Sequence, residues 1–146
     1  MKRETFAAYA NLCALKKREA HDAMARVEQE VKEARRAIDE NKAKMAAHDR
    51  DTAQRLLGGM DARFLDLLER ERTQLEREIL ASRAMLDKKQ ARRAQAHEQI
   101  RESDLMEKRC EKIEEKLNSE RLQARTRREE AEADELSTRR AATARH

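Results

Sequence analysis

The chain has 146 residues, room for one domain, yet 44% of them are charged, 2% are aromatic and the mean hydropathy is -1.11. That composition excludes a wide hydrophobic core, and no stretch reaches the ~18 apolar residues of a membrane span. The net charge of +4 comes from 34 cations interleaved with 30 anions, the pattern of a solvated helix surface. Disordered chains are also polar, but they are rich in Pro, Gly and Ser. Here Ala, Glu, Lys, Arg, Leu and Gln dominate, as in long helices and coiled coils. A narrow seam between helices is what the apolar residues can build.

Met1-Lys2-Arg3 followed by Phe6 to Leu15 faintly imitates a secretion signal. Tyr9 and Asn11 break its apolar part, which runs straight into Lys16-Lys17-Arg18, so the stretch reads as a helix start in a cytoplasmic protein. From Phe6 a seven-residue repeat sets in. Phe6, Cys13, Ala20, Val27, Ala34, Asn41 and His48 form one row, and Ala10, Lys17, Met24, Val31, Ile38, Met45 and Thr52 form the row four residues on, as a and d positions do. Tyr9, Leu12 and Leu15 widen the apolar face, so this end is expected to meet more than one neighbour. Asn41 and His48 weaken the seam, and a buried Asn at an a position fixes register at some cost in stability. A first helix is expected over 5–56.

Gly58 and Gly59 are the chain's two glycines, and there is no proline. Glycine reaches the left-handed conformation that ends many helices, and Asp61 is suited to start the next one, its carboxylate accepting backbone N–H groups. The stretch 57–61 therefore reads as the tip of a helical hairpin, with one continuous helix kinked at glycine as the alternative. A second helix over 62–140 opens with Phe64, Leu65, Leu67 and Leu68. It continues through Leu75, Ile79, Leu86, Ala96, Ile100 and Ser103. Met106, Cys110, Ile113 and Leu117 follow after an extra three-residue step, a stammer that overwinds the pair.

Folding the chain back at the glycines brings together residues whose numbers add to about 118–120, and apolar then meets apolar. Met45 falls by Leu75, Ile38 by Ile79, Val31 by Leu86, Ala20 by Ile100, Cys13 by Met106, Tyr9 by Cys110 and Phe6 by Ile113. The fold expected is all-α, a two-helix antiparallel coiled-coil hairpin forming a single domain over 1–146, with the second helix the longer. Residues from about Asn118 onward have no partner within the chain, and an isolated helix is marginal in water although salt-bridged neighbours help it.

Catalytic motifs are missing: there is no glycine-rich phosphate loop, paired-cysteine metal spacing or His-x-x-x-His, and Ser82, Ser103, Ser119 and Ser137 lack a nucleophile's context. A two-helix rod encloses no dry site, so no enzyme and no cofactor are expected. His21, His48, His97 and His146 are scattered and read as seam or surface residues, not metal ligands. Cys13 and Cys110, too few for a disulfide framework, lie within about a turn of each other; they read as small apolar seam residues, with a redox link as the alternative. Arg125-Thr126-Arg127-Arg128 resembles the basic arm of a leucine zipper. The acids Glu129, Glu130 and Glu132 follow at once, and nucleic-acid binding is not expected.

The size, the absence of proline and the longer second helix resemble the stalk proteins of the type III export ATPase, the FliJ-like and YscO-like family. The segment Leu12-x-x-Leu15-Lys16-x-x-Glu19-Ala20 is similar to the family's opening. So is Arg128-Glu129-Glu130-Ala131-Glu132-Ala133-Asp134-Glu135-x-x-x-Arg139-Arg140 near the end. The resemblance implies a non-enzymatic central stalk that inserts the end carrying both termini into a hexameric secretion ATPase and contacts the export gate protein and export chaperones. On that reading Leu12, Leu15 and Lys16, with Arg121, Arg125, Arg127, Arg128 and Arg139 of the unpaired tail, face the ring. The gate-facing positions correspond to Glu71, Leu75, Glu78 and Ser82, of which Leu75 is apolar. A monomer is expected, because each seam is satisfied within one chain. The competing reading is a structural or scaffold coiled coil, homodimeric through its tails.

Overall fold

The computed structural model describes residues 2–145; Met1 and His146, the last of the scattered histidines, lie outside the described residues. Two helices account for the fold, α1 over Arg3–Leu57 and α2 over Ala62–Ala144. They form an antiparallel coiled-coil hairpin in which α2, at 83 residues, is longer than α1, at 55.

The turn divides its work between the two glycines. Gly58 N–H still donates to Gln54 O at 3.2 Å, continuing the helical ladder, and Gly59 N–H donates to Leu56 O at 3.3 Å. Gly59 alone takes a positive φ, 78°, the left-handed conformation that releases the chain from α1. Asp61 does start α2, but by its backbone carbonyl, which accepts from Phe64 N–H at 3.0 Å and Leu65 N–H at 3.3 Å. Its carboxylate caps no N–H among the described residues, a correction to the expected side-chain cap.

Every position of the two heptad rows in α1 is at least half-buried, from Phe6 to Thr52. In α2, Leu65, Leu68, Leu75, Ile79, Leu86, Ala96, Ile100, Ser103, Met106, Cys110, Ile113 and Leu117 are likewise covered. Phe64 and Leu67 are not; each is about half exposed. They lie one residue before Leu65 and Leu68, so at ~100° per residue they turn to the next face. At the stammer both Met106 and its neighbour Glu107 are half-buried, which spreads the phase change over two side chains.

The hairpin divides into two compact units, Lys16–Glu102 and Met1–Leu15 with Ser103–His146. In the first, Ala20, Val31, Ala34, Ile38, Leu68, Ile79 and Ala96 are buried. Burying a Val or Ile side chain stabilises by roughly 1.5–3 kcal/mol, so this thin line of residues supplies most of the cohesion. Polar layers punctuate it. Asn41 Nδ2 donates to Ser82 Oγ at 2.7 Å, and His48 Nε2 lies 3.2 Å from Glu71 Oε2. Ion pairs flank the seam at Asp49–Arg72, 3.0 Å, and Glu30–Lys89, 3.3 Å.

In the unit Met1–Leu15 with Ser103–His146, Cys13, Ser103 and Cys110 are buried and Phe6, Tyr9 and Ala10 half-buried. Cys13 meets Cys110, one turn beyond the expected Met106. Like the Asn41–Ser82 contact in the other unit, this lies up to a turn beyond the expected register, whereas His48–Glu71 and Glu30–Lys89 keep it. A slip of one turn returns the same face to the seam, which is why apolar residues match in either register.

Candidate functional site

The residues expected to meet a partner fall mainly in one unit. Leu12 and Leu15 are 45% and 52% exposed, about half free of the seam their neighbour Cys13 enters. Arg121, Arg125, Arg127, Arg128 and Arg139 belong to the same unit and are all exposed. Lys16, also exposed, is the first residue of the other unit.

Every described residue from Asn118 to Arg145 is exposed, yet the helix runs unbroken to Ala144. Local interactions hold it. Arg125 Nε pairs with Glu129 Oε1 at 3.1 Å and Arg139 with Glu135 Oε1 at 2.9 Å, each one turn apart. The hydroxyls of Thr126, Thr138 and Thr143 donate back to the carbonyls of Leu122, Asp134 and Arg139. The two salt-bridged pairs contribute a few tenths of a kcal/mol each, enough to support a helix but not to cover it. Arg121, Arg127 and Arg128 form no ion pair among the described residues, so their guanidinium forks remain open to a carboxylate.

Along this segment charge comes in bands: arginines from 121 to 128, acids from Glu129 to Glu135, then Arg139, Arg140 and Arg145. A partner with the opposite order of charge would be read in register as well as attracted. Apolar anchors are sparse, with Leu122 and Leu136 both mostly exposed.

Of the positions matched to a gate contact, Leu75 is half-buried in the seam. Ser82 accepts the Asn41 amide and one oxygen of Glu71 engages His48, so α1 already occupies part of each polar group. Gly58 and Gly59 form the tip, where a shallow depression of about 490 Å³ is lined by Arg55, Met60, Asp61 and Phe64 beside the glycines.

Two surfaces escaped the reading of the sequence. Leu105 stands 56% exposed in the unit that carries Leu12 and Leu15. Beside the turn, Leu56, Leu57, Phe64 and Leu67 are all half or more exposed. Counting Phe64 and Leu67 one residue out of the seam's phase would have revealed them. Leu105 carried a similar sign, falling between the seam positions Ser103 and Met106.

Electrostatic perturbations are few. The Cys110 thiol is pushed up to about 11, first by burial and then by its hydrogen bond with Cys13. The Tyr9 phenol is held above its ordinary value by burial and by the neighbouring Cys13. The Arg72 guanidinium is raised by its hydrogen bond and charge contact with Asp49. Among the described residues no cluster of three or more His, Cys, Asp or Glu could hold a metal ion, and no helix is long and apolar enough to cross a membrane. Comparison of the chain with protein families, with curated proteins and with solved structures finds no match.

Proposed function

We propose that this protein is a non-enzymatic interaction protein, the central stalk of a hexameric secretion ATPase of the type III export kind. It binds the ring through Leu12, Leu15, Lys16 and the tail arginines and couples the ring to the export gate protein and export chaperones. The observation that supports this reading is the terminal segment of α2, helical to Ala144 with no side chain covered. A helix that spends no residue on its own fold presents its whole circumference to another protein, as an axle inside a ring requires. The sequence resemblance supplies the identity of that ring, and a site at the cytoplasmic face of a membrane export apparatus follows from it.

The test is the quadruple change of Arg121, Arg125, Arg127 and Arg128 to Glu. None has a seam role, so the hairpin should melt within about 0.5 kcal/mol of the parent. Wrong-sign contacts cost several kcal/mol at an interface, so binding to the ATPase and stimulation of its activity should be lost. Stimulation that survives this change at physiological salt overturns the assignment of the tail.

One observation favours a homodimeric scaffold instead. Leu122 and Leu136 are exposed two heptads apart, the spacing of a seam that a second tail would complete. Sedimentation equilibrium separates the readings, since the stalk is a monomer and the scaffold a dimer.

A further inference from the structure

Cys13 and Cys110 are the chain's two cysteines, 97 residues apart in sequence. Across the seam of their unit the Cys110 thiol donates to Cys13 Sγ at 3.1 Å. Both are free, and they are 6% and 9% exposed. The seam takes Ala, Val or Ile at comparable positions, so packing alone does not call for two thiols in one layer. We propose that this pair is a reversible cross-linking site, at which a small peroxide-class oxidant forms an intramolecular disulfide that clamps the first turns of α1 to α2.

The geometry needs little adjustment, since the sulfurs must close by about 1 Å to reach the ~2.05 Å of a disulfide. Burial, the hydrogen bond to Cys13 and the nearby acids Glu107 and Glu114 push the Cys110 thiol up to about 11, so it keeps its proton at neutral pH. Cys110 donates its S–H to Cys13 Sγ, which leaves Cys13 as the sulfur for the first attack. Its sulfur attacks one peroxide oxygen, the O–O bond breaks, and the departing oxygen leaves as water with the thiol's proton. Cys13 is then a sulfenic acid. The Cys110 sulfur next attacks the Cys13 sulfur, the S–O bond breaks, and hydroxide leaves as a second water with the Cys110 proton. Two thiols lose two electrons and two protons, and one peroxide becomes two waters.

The burial sets the pace. Oxidant reaches the sulfurs when the α1 end opens, and the disulfide then traps the closed arrangement. Leu12 and Leu15, one and two residues either side of the clamp's turn, are held with it, so the exposed apolar face becomes a fixed surface. A dithiol reverses the change.

The experiment treats the full-length native chain with hydrogen peroxide, blocks remaining thiols with iodoacetamide and measures the intact mass. The expected product is a monomer two hydrogens lighter with no alkyl group added, melting about 10 °C higher than the reduced chain because the cross-link closes a long loop. Dithiothreitol should restore both thiols. Cys13→Ser and Cys110→Ser should each remove the cross-link, and Cys13→Ala, which keeps an apolar residue in the seam, controls for loss of folding. Three results overturn the proposal: both thiols still alkylating in the native chain while a urea-unfolded control cross-links, links forming only between chains, or a link that leaves the melting temperature unchanged.

Discussion

The unit Lys16–Glu102 and the last turns of α2 are built from nearly the same residue types, yet they are stabilised by different means. In the unit, α1 and α2 share a buried line from Ala20 to Ile38 and from Leu68 to Ala96, crossed by the Asn41–Ser82 hydrogen bond and the Asp49–Arg72 and Glu30–Lys89 ion pairs. From Asn118 to Arg145 no side chain is covered, and the recorded ion pairs join residues of one helix a single turn apart. Charge density alone does not distinguish them. What differs is whether apolar residues recur every three and four positions, because only that recurrence gives a second helix something to cover. Where it stops, the helix continues on local propensity and becomes surface.

The contrast is sharpest for a charge placed at an apolar position. Ile38→Asp buries a carboxylate in the seam and should cost about 4 kcal/mol or more in urea unfolding. Leu122→Asp places the same group in water and should leave the unfolding midpoint within about 0.5 kcal/mol. Equal losses at the two sites would show that the tail is packed after all.

The turn comes next. Gly59→Ala forces a side chain into the left-handed region and should destabilise by about 1–2 kcal/mol. A Cβ on Gly58 would meet Arg55 O at 3.5 Å and Gln54 O at 3.8 Å, ordinary contact, so Gly58→Ala should be neutral or mildly stabilising. The double change should lengthen α1 past the tip and produce a domain-swapped dimer, readable by sedimentation; a stable monomer would move the turn elsewhere.

A smaller gain is expected within the seam. His48 Nε2 engages Glu71 while its buried Nδ1 has no hydrogen-bond partner. Replacing His48 with Leu removes that orphan acceptor and leaves Glu71 free to hydrate, so stability should rise by about 1 kcal/mol. A loss would mean that the histidine contributes more through Glu71 than it costs.

A further effect, absent at neutral pH, is a slope at alkaline pH. The Cys110 thiol ionises near its ordinary value of 9 when unfolded and at about 11 when folded. The folded chain therefore holds its proton longer. This contribution is complete below pH 9 and is lost as the pH rises toward 11. Melting temperatures of the reduced chain should fall across that window, and Cys110→Ala should flatten the fall.

Much of the fold was legible in the residues. The heptad rows from Phe6 to Thr52 predicted the covered face of α1, the glycine pair predicted the turn, and the loss of apolar recurrence after Leu117 predicted the exposed segment. All three are local properties, because helix periodicity and glycine's conformational freedom are written within a few residues. The candidate site was legible as a surplus of helix and as exposed Leu12 and Leu15, while Leu105 was missed because an apolar residue beside a stammer has no assigned face.

Register was decided elsewhere. Two helices slid past each other by one turn present the same faces, so matching apolar with apolar could not separate Cys13 opposite Met106 from Cys13 opposite Cys110. The tertiary structure adds which polar atoms meet, the Asn41 amide on the Ser82 hydroxyl, His48 on Glu71 and one thiol on the other. Likewise either glycine could have ended α1, and the backbone assigned the left-handed position to Gly59. Periodicity determines which face is buried. Only contacts between particular atoms, whose strength falls away within an ångström or so, determine which residue lies opposite which.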